Sequence, residues 1–208
     1  MNKLLVLLLT LFSIIKISFA QDTIITIDGE QIFGKSVKLN SATRECFYQT
    51  MKGKEKEIDM DDIFSVRDSM GMETVYYRPD TTKGFYDSQN DMKQYIEGVL
   101  AARKEYKSNF FTYFGAGLSV TAVAAVAASG TGLLFWTPLI PVVYSGIVLK
   151  SKPNVEKITN SIPEHLRSEK YVTGYITQVK KKRTNNAVIG SVGGLLLGWL
   201  GFFSISAL

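Results

Sequence analysis

The chain has 208 residues, with 24 Lys and Arg against 19 Asp and Glu and a formal net charge of +5. That excess is too small to indicate nucleic-acid binding, and a single cysteine, Cys46, excludes an intramolecular disulfide. No charged residue occurs at positions 108–149 or 184–208, whereas Lys, Arg, Asp and Glu normally dot the surface of a water-soluble domain. These two stretches predict an integral membrane protein.

Residues 1–20 have the layout of a secretory signal peptide. Lys3 precedes an apolar run over positions 4–15, and Ser18 and Ala20 place small residues at the two positions that determine cleavage. We therefore expect cleavage before Gln21.

Residues 21–80 carry the signals of short strands joined by tight turns. Apolar and polar residues alternate at 23–27, and turn residues recur at Asp28-Gly29, at 52–54 and at 69–71. This spacing predicts a small all-β, barrel-like N-terminal module of about six strands, which the signal peptide would place outside the cytoplasm.

Residues 81–90 form a predicted linker, and over 91–208 the hydrophobic period becomes that of helices. A bilayer crossing needs about 20 apolar residues, so this all-α membrane region is expected to contain three spans, at about 110–128, 133–149 and 187–207. Two amphipathic juxtamembrane helices are expected, one before the first span and one from about Glu164. Pro138 and Pro141 either kink the second span or mark its start.

Shifting the sequence by 76 positions aligns two of its segments. Tyr95-Ile96-Glu97-Gly98 falls on Tyr171-Val172-Thr173-Gly174, and the matches continue through basic residues, an asparagine and a glycine. The pattern predicts a duplicated unit, in which an amphipathic helix leads into a span. Both units enter the membrane at their basic ends. The first and third spans are therefore expected to run parallel, and the second span is expected to cross back in the opposite direction.

Small residues recur every four positions on two predicted spans, at Gly117, Thr121 and Ala125 and at Gly190, Gly194 and Gly198. Such a stripe lets helix backbones approach closely in lipid. It predicts either packing among the helices of one chain or a glycine zipper that assembles several subunits. Packing within the chain is the simpler interpretation, because three helices need such contacts in any case.

Lys180, Lys181, Lys182 and Arg183 precede the third span and are predicted to contact anionic lipid head groups. The spans contain no charged residue, so the sequence predicts no ion or proton pathway. We predict no metal site, because His165 is the only histidine and has no Cys or carboxylate cluster beside it. No catalytic or cofactor-binding residue is predicted, since no nucleophile and base form a recognisable pattern.

The segment Gly29-Glu30-Gln31-Ile32-Phe33-Gly34-Lys35-Ser36 matches the formal pattern of a phosphate-binding loop. That chemistry requires a loop that opens directly into a helix, with backbone amides around the phosphates. Strand-like residues follow at 37–39 instead. We therefore expect a hairpin turn at Gly29 and a bulge at Gly34.

Two short stretches resemble known proteins. Asp22-Thr23-Ile24-Ile25, with the later Gly34-Lys35, resembles the opening hairpin of small β modules in uncharacterised bacterial envelope proteins. The Gly190-Gly194-Gly198 stripe is similar to the glycine-zipper domains of envelope proteins. The resemblances imply a location in the cell envelope and supply no catalytic residues.

Two functions fit these predictions. The first is a non-enzymatic envelope membrane protein, in which packed glycine-rich helices tether a β interaction module. The alternative is an oligomeric pore or transporter accessory subunit built on the glycine-zipper helices. The expected partners are the lipid bilayer and either a second copy or another envelope protein.

The side of the membrane on which the β module lies is predicted differently by two signals. The signal peptide predicts export, whereas the positive-inside rule assigns the basic residues on the module's side to the cytoplasm. We favour an extracytoplasmic module, because a cleaved signal can override a bias in the distribution of charge.

Overall fold

The computed structural model describes residues 21–40, 43–84, 87–130 and 135–206, so the predicted signal peptide lies outside the described residues. Contacts within the chain divide it after Arg78 into two compact units. The first unit contains a β-sheet and the second contains helices.

The first unit is an antiparallel sheet. Its strands are β1 (Asp22–Thr26), β2 (Gln31–Asn40), β3 (Glu45–Thr50), β4 (Glu55–Asp59), β5 (Ile63–Arg67) and β6 (Glu73–Val75). They lie in the order β4-β3-β2-β1-β5-β6, so that β1 is central and pairs with both β2 and β5. All neighbouring strands in this order pair in the antiparallel direction.

The sheet is open, so the barrel-like prediction is wrong. The edge strands β4 and β6 do not pair with each other. β6 has only three residues, and β4 reads Glu-Lys-Glu-Ile-Asp, so neither edge offers a long apolar strand for closure. Short and charged edges also discourage pairing with the strands of other chains.

The core of the sheet unit includes Ile24, Cys46, Tyr48 and Ile63, all of them buried. Ile24 lies opposite Val66, and in β2 and β3 the more buried residues alternate with exposed ones, as Cys46 and Tyr48 do on either side of Phe47. Because a slip of one residue would turn this apolar set towards solvent, the alternation also specifies the register.

The second unit is helical in the part that the structure describes. Its helices are α1 (Gln89–Glu105), α2 (Asn109–Ala128), α3 (Leu139–Lys150), α4 (Val155–Ser161) and α5 (Glu169–Ser206). Ser88 caps α1, since its hydroxyl accepts a hydrogen bond from the backbone N–H of Asp91 at 3.1 Å. Short 3-10 turns at Thr81–Lys83 and Glu164–Leu166 precede α1 and α5.

Two of these helices, α2 and α5, are long and apolar enough to cross a membrane. Within the described residues the predicted second span does not appear as a third helix long enough to cross a membrane, because α3 has only 12 residues. That is about 18 Å of helix, against a hydrocarbon core of about 30 Å. Pro138 immediately precedes α3 and Pro141 lies in its first turn, where a missing N–H is tolerated. The prolines therefore mark the start of the helix.

The predicted second juxtamembrane helix is not a separate element. α5 runs for 38 residues from a polar beginning into the apolar segment 184–206. The first repeat is interrupted between α1 and α2, where Tyr106 is extended and Ser108 precedes the new helix. The corresponding positions of the second repeat, Lys182 and Thr184, lie within the continuous helix α5. Side chains of α5 form hydrogen bonds with the residues at the break between α1 and α2.

Candidate functional site

The two repeats form a helix pair with reciprocal glycine contacts. A Cβ placed on Gly98 of α1 would lie 2.1 Å from the carbonyl oxygen of Tyr171 on α5. A Cβ on Gly174 would lie 2.1 Å from the carbonyl oxygen of Tyr95. Because the 76-residue shift relates both pairs of residues, this reciprocity is what a local two-fold relation between the repeats requires.

The same register continues along α2 and the apolar part of α5. A Cβ on Gly190 would lie 2.1 Å from the carbonyl oxygen of Thr112, and one on Gly194 would lie 2.3 Å from that of Ala116. Each pair is separated by 78 positions, close to the repeat length. The two helices therefore advance together and run parallel, as the repeat predicts.

The glycine stripe of α5 faces α2 of the same chain. Gly198 completes it, because a Cβ there would lie 2.9 Å from the Cβ of Val123. Side chains at these positions would hold the backbones apart, so the close approach depends on glycine. The contact lies within one chain.

The stripe predicted on α2 points away from α5. A Cβ on Gly117 would have no atom within 4 Å, and Thr121 and Ala125 are exposed. The buried positions of α2 are instead Gly115, Ser119 and Val123. The sequence signal that points to this buried face is the repeat. The 76-residue shift aligns Gly115 of α2 with Ser191 of α5, and Ser191 is fully buried.

α3 returns antiparallel along α5. At its end the Nη2 of Arg183 donates to the hydroxyl of Ser151 at 2.9 Å. Before its start the Nε1 of Trp199 donates to the hydroxyl of Thr137 at 2.9 Å. Between them the Tyr144 hydroxyl donates to a backbone carbonyl of α2 at 3.1 Å. These contacts fix α3 although it is shorter than a membrane crossing.

Three aromatic residues of the apolar segments, Trp136, Tyr144 and Trp199, differ in their burial, and two of them pack internally. Tyr144 is buried and Trp199 is half-buried, whereas Trp136 is exposed. Tyr144 and Trp199 therefore serve helix packing, and only Trp136 presents its ring to the surroundings.

Lys182 satisfies the end of α1. Its ammonium group donates to the carbonyl oxygens of Arg103 at 2.6 Å and of Tyr106 at 2.8 Å, with a longer contact of 3.4 Å to Ala102. The last carbonyls of a helix have no partner within the helix, and a cation there also opposes the helix dipole. Burial lowers the pKa of Lys182, and the nearby Arg103 lowers it further. Lys182 is thus a structural residue.

Arg183 is also engaged within the chain. Besides its bond to Ser151, its guanidinium carbon lies 4.5 Å from the centroid of the Phe111 ring. Lys180 and Lys181 are exposed. Of the four residues predicted to contact lipid head groups, two therefore join parts of the fold and two face outward.

The helices carry large apolar side chains on their outer surface. Only 17% of the apolar window of α2 and 22% of that of α5 is buried within the chain. Many of these side chains are between 58% and 73% exposed, among them Tyr113, Val142, Ile147, Ile189, Leu196 and Leu200. A soluble core helix would bury such residues, so this surface is suited to lipid or to other proteins.

The phosphate-loop pattern lies in a hairpin. Gly29 has φ 68° in the turn, and β2 follows in place of a helix. The expected bulge occurs just after Gly34, where the pairing shifts between Lys35 and Lys38 and Ser36 adopts φ 55°. The residues from Gln31 to Gly34 pair with β1, and the amide of Gly29 donates to the carbonyl oxygen of Thr26, so this segment forms a hairpin in place of a phosphate-binding loop.

The remaining chemical candidates are the thiol of Cys46 and the side chains of the residue types that bind metals. Burial raises the pKa of Cys46 from 9.0 to about 11, which suppresses the reactive thiolate. Within the described ranges, no group of three His, Cys, Asp or Glu side chains is placed to hold a metal ion.

Comparison of the chain with protein-family models, with curated proteins and with solved structures found no match. The resemblances to envelope hairpins and to glycine zippers therefore stay predictions.

Proposed function

We propose that this chain is a non-enzymatic membrane protein of the bacterial cell envelope, in which packed helices anchor a small β interaction module. The observation that carries the proposal is the exposed apolar surface of α2, α3 and α5. In water, leaving a large apolar side chain exposed costs about 1.5–3 kcal/mol of free energy relative to burying it. A bilayer removes that cost for the whole surface at once.

The apolar part of α5 also has the length of a bilayer. Arg183 is the last charged residue of the helix, and the 20 positions from it to Phe203 rise about 30 Å, the thickness of a hydrocarbon core. Exposed aromatic rings lie towards both ends, with Phe110 and Tyr113 at the basic end and Phe203 at the other. Aromatic belts of this kind are typical of membrane–water interfaces.

The sheet supports the role of interaction module. Phe33 and Phe47 are 52% and 38% exposed, and each alternates along its strand with residues of the buried core. Exposed aromatic residues are enriched in protein interfaces. We expect a protein partner of the envelope to bind here, with the sheet on the extracytoplasmic side.

An oligomeric pore or transporter accessory subunit is the second candidate. At the level of Gly190 and Gly194 the backbones of α2 and α5 are in direct contact, so no conduit passes between these two helices there and one would have to form between copies. The observation that favours this alternative is the exposed stripe of Gly117, Thr121 and Ala125, which could pack against another chain.

Alkaline extraction of membranes tests the anchoring. The full chain should stay in the pellet, and its release into the soluble fraction would refute a membrane-spanning anchor. Fusion of a phosphatase after Tyr77 tests the orientation, because the enzyme is active only outside the cytoplasm. An inactive phosphatase, together with an active cytoplasmic reporter at the same position, would refute the extracytoplasmic placement.

Reconstitution of the full chain into vesicles separates the two candidate functions. The anchor predicts vesicles as tight as empty ones and a detergent-solubilised particle with the mass of one chain. Ion leak above that of empty vesicles, accompanied by a multiple of that mass, would favour the pore.

A further inference from the structure

Three separate segments that carry basic residues are joined to one another at the polar end of the apolar helices. Lys107 follows α1, Lys150 and Lys152 lie on either side of the end of α3, and Arg183 lies on α5. The hydrogen bond from Arg183 to Ser151 joins the second segment to the third. Lys150 and Lys152 are adjacent in sequence to Ser151, so each Cα lies about 3.8 Å from that fixed position.

The first segment is held at the same level by two contacts with α5. The Nδ2 of Asn186 donates to the hydroxyl of Ser108 at 2.7 Å. The ammonium group of Lys182 donates to the carbonyl oxygen of Tyr106 at 2.8 Å. Lys107 lies between these two anchored residues and is exposed.

The charge at this level is of one sign along the chain. No Asp or Glu occurs between Glu105 and Glu156, a stretch that contains Lys107, Lys150 and Lys152. All three lysines are exposed, whereas Lys182 and Arg183 form hydrogen bonds within the chain. Exposed ammonium groups at one level attract a phosphate, and the nearest carboxylates along the chain belong to Glu105, two positions before Lys107, and Glu156, four positions after Lys152.

Each part of the cluster also borders exposed apolar surface. Phe110, three positions after Lys107, is 68% exposed, and Leu149, directly before Lys150, is 63% exposed. A free phosphate uses only the charged groups. A phospholipid uses both features, because its phosphate meets the ammonium groups while its acyl chains lie along the neighbouring apolar side chains.

We propose that Lys107, Lys150 and Lys152 bind the phosphate of an anionic phospholipid at the polar end of the helix pair. The inference rests on the proposed membrane location. Arg183 and Lys182 act as positioning residues, since they hold the three segments together. The break between α1 and α2 is then functional, because it brings Lys107 to the lipid boundary.

Native mass spectrometry of the full chain in detergent tests the site, with phosphatidylglycerol and phosphatidylcholine as probes. The variant combines Lys107→Gln, Lys150→Gln and Lys152→Gln. Its matched control combines Lys52→Gln, Lys54→Gln and Lys56→Gln, which removes the same charge from exposed positions of the sheet unit. Circular dichroism checks that both variants remain folded.

We expect retention of phosphatidylglycerol to fall on the order of 100-fold in the first variant, about fivefold for each charge. The control variant should retain the lipid like the parent chain, and phosphatidylcholine should be retained weakly by all three proteins. If the triple variant folds poorly, each single change should still weaken retention about fivefold.

Equal retention by the two triple variants would overturn the proposal. Displacement of the lipid by millimolar inorganic phosphate would overturn it too, because the site would then belong to a free anion. Failure of the membrane location itself would appear differently, as release of the parent chain by alkaline extraction.

Discussion

Replacing Gly174 with alanine is the sharpest test of the helix pair. The new Cβ would lie 2.1 Å from the carbonyl oxygen of Tyr95, whereas ordinary contact begins at 3.4 Å. The helices must therefore part by 1.3 Å along that line, the difference between these two distances. A clash with backbone cannot be relieved by rotating a side chain.

The expected cost follows from two opposing terms. Overpacking of this kind costs about 1–3 kcal/mol, and the better helix propensity of alanine returns about 1 kcal/mol. The net loss is therefore up to about 2 kcal/mol, which corresponds to a fall in Tm of up to about 8 °C for a chain of this size. Gly98→Ala should behave alike, and the double variant should lose less than the sum because both changes disturb one crossing.

Thermal unfolding followed by far-ultraviolet circular dichroism measures these shifts. Gly193→Ala is the matched control, since it lies on the same helix and a Cβ there would meet no atom within 4 Å. Its Tm should stay unchanged or rise. If Gly174→Ala and Gly193→Ala gave the same Tm, the reciprocal glycine contact would not hold the helices together.

Three further predictions concern other contacts. Gly194→Leu should lower the Tm without changing the mass of the detergent particle, whereas Leu196→Ala, at an exposed position, should change the Tm little; a reduced mass with an intact monomer would instead show that the stripe joins subunits. Lys182→Met should destabilise the chain by about 1–3 kcal/mol because it leaves carbonyls without a donor, and Lys181→Met, at an exposed position, should stay within about 0.5 kcal/mol of the parent; equal unfolding temperatures would contradict this role for Lys182. The pKa of Cys46 is raised from 9.0 in the unfolded chain to about 11 in the folded state. The buried thiol therefore contributes its full stabilisation below pH 9.0, and this contribution is lost as the pH rises through 11. Thiol titration at pH 8 should therefore be slow in the native chain and fast in denaturant, and equal rates would contradict this burial.

Much of the helical unit was predictable because its signals are periodic. The 76-residue repeat predicted the parallel direction of α2 and α5, and the spacing of Gly190, Gly194 and Gly198 indicated a close helix contact. Spacing alone could not assign the facing side of α2, since Gly117, Thr121 and Ala125 satisfy the same rule as a packing face yet are exposed. Two helices can each carry a small-residue stripe while only one stripe lies in their contact.

The β-sheet was predictable in its strands but not in its closure. Alternating apolar residues and glycine turns indicated six strands, and alternation depends only on local side-chain direction. Whether a sheet closes depends on how its first and last positions meet, and here β4 and β6 are edges separated by four other strands. The expected barrel failed for that non-local reason.

Composition and periodicity by themselves determined the apolar helices and the strand count, because both depend on residues close together in the chain. The duplication was also visible without a structure, because it requires only a comparison of the sequence with itself. Tertiary structure alone decided which basic residues stay exposed. Lys180 to Arg183 are four consecutive cations, yet Lys182 and Arg183 are held by carbonyl and hydroxyl groups about 80 and 32 positions away, while Lys180 and Lys181 are not buried. The order of residues in the sequence cannot reveal such distant partners, because successive side chains of a helix point in different directions and contact different neighbours.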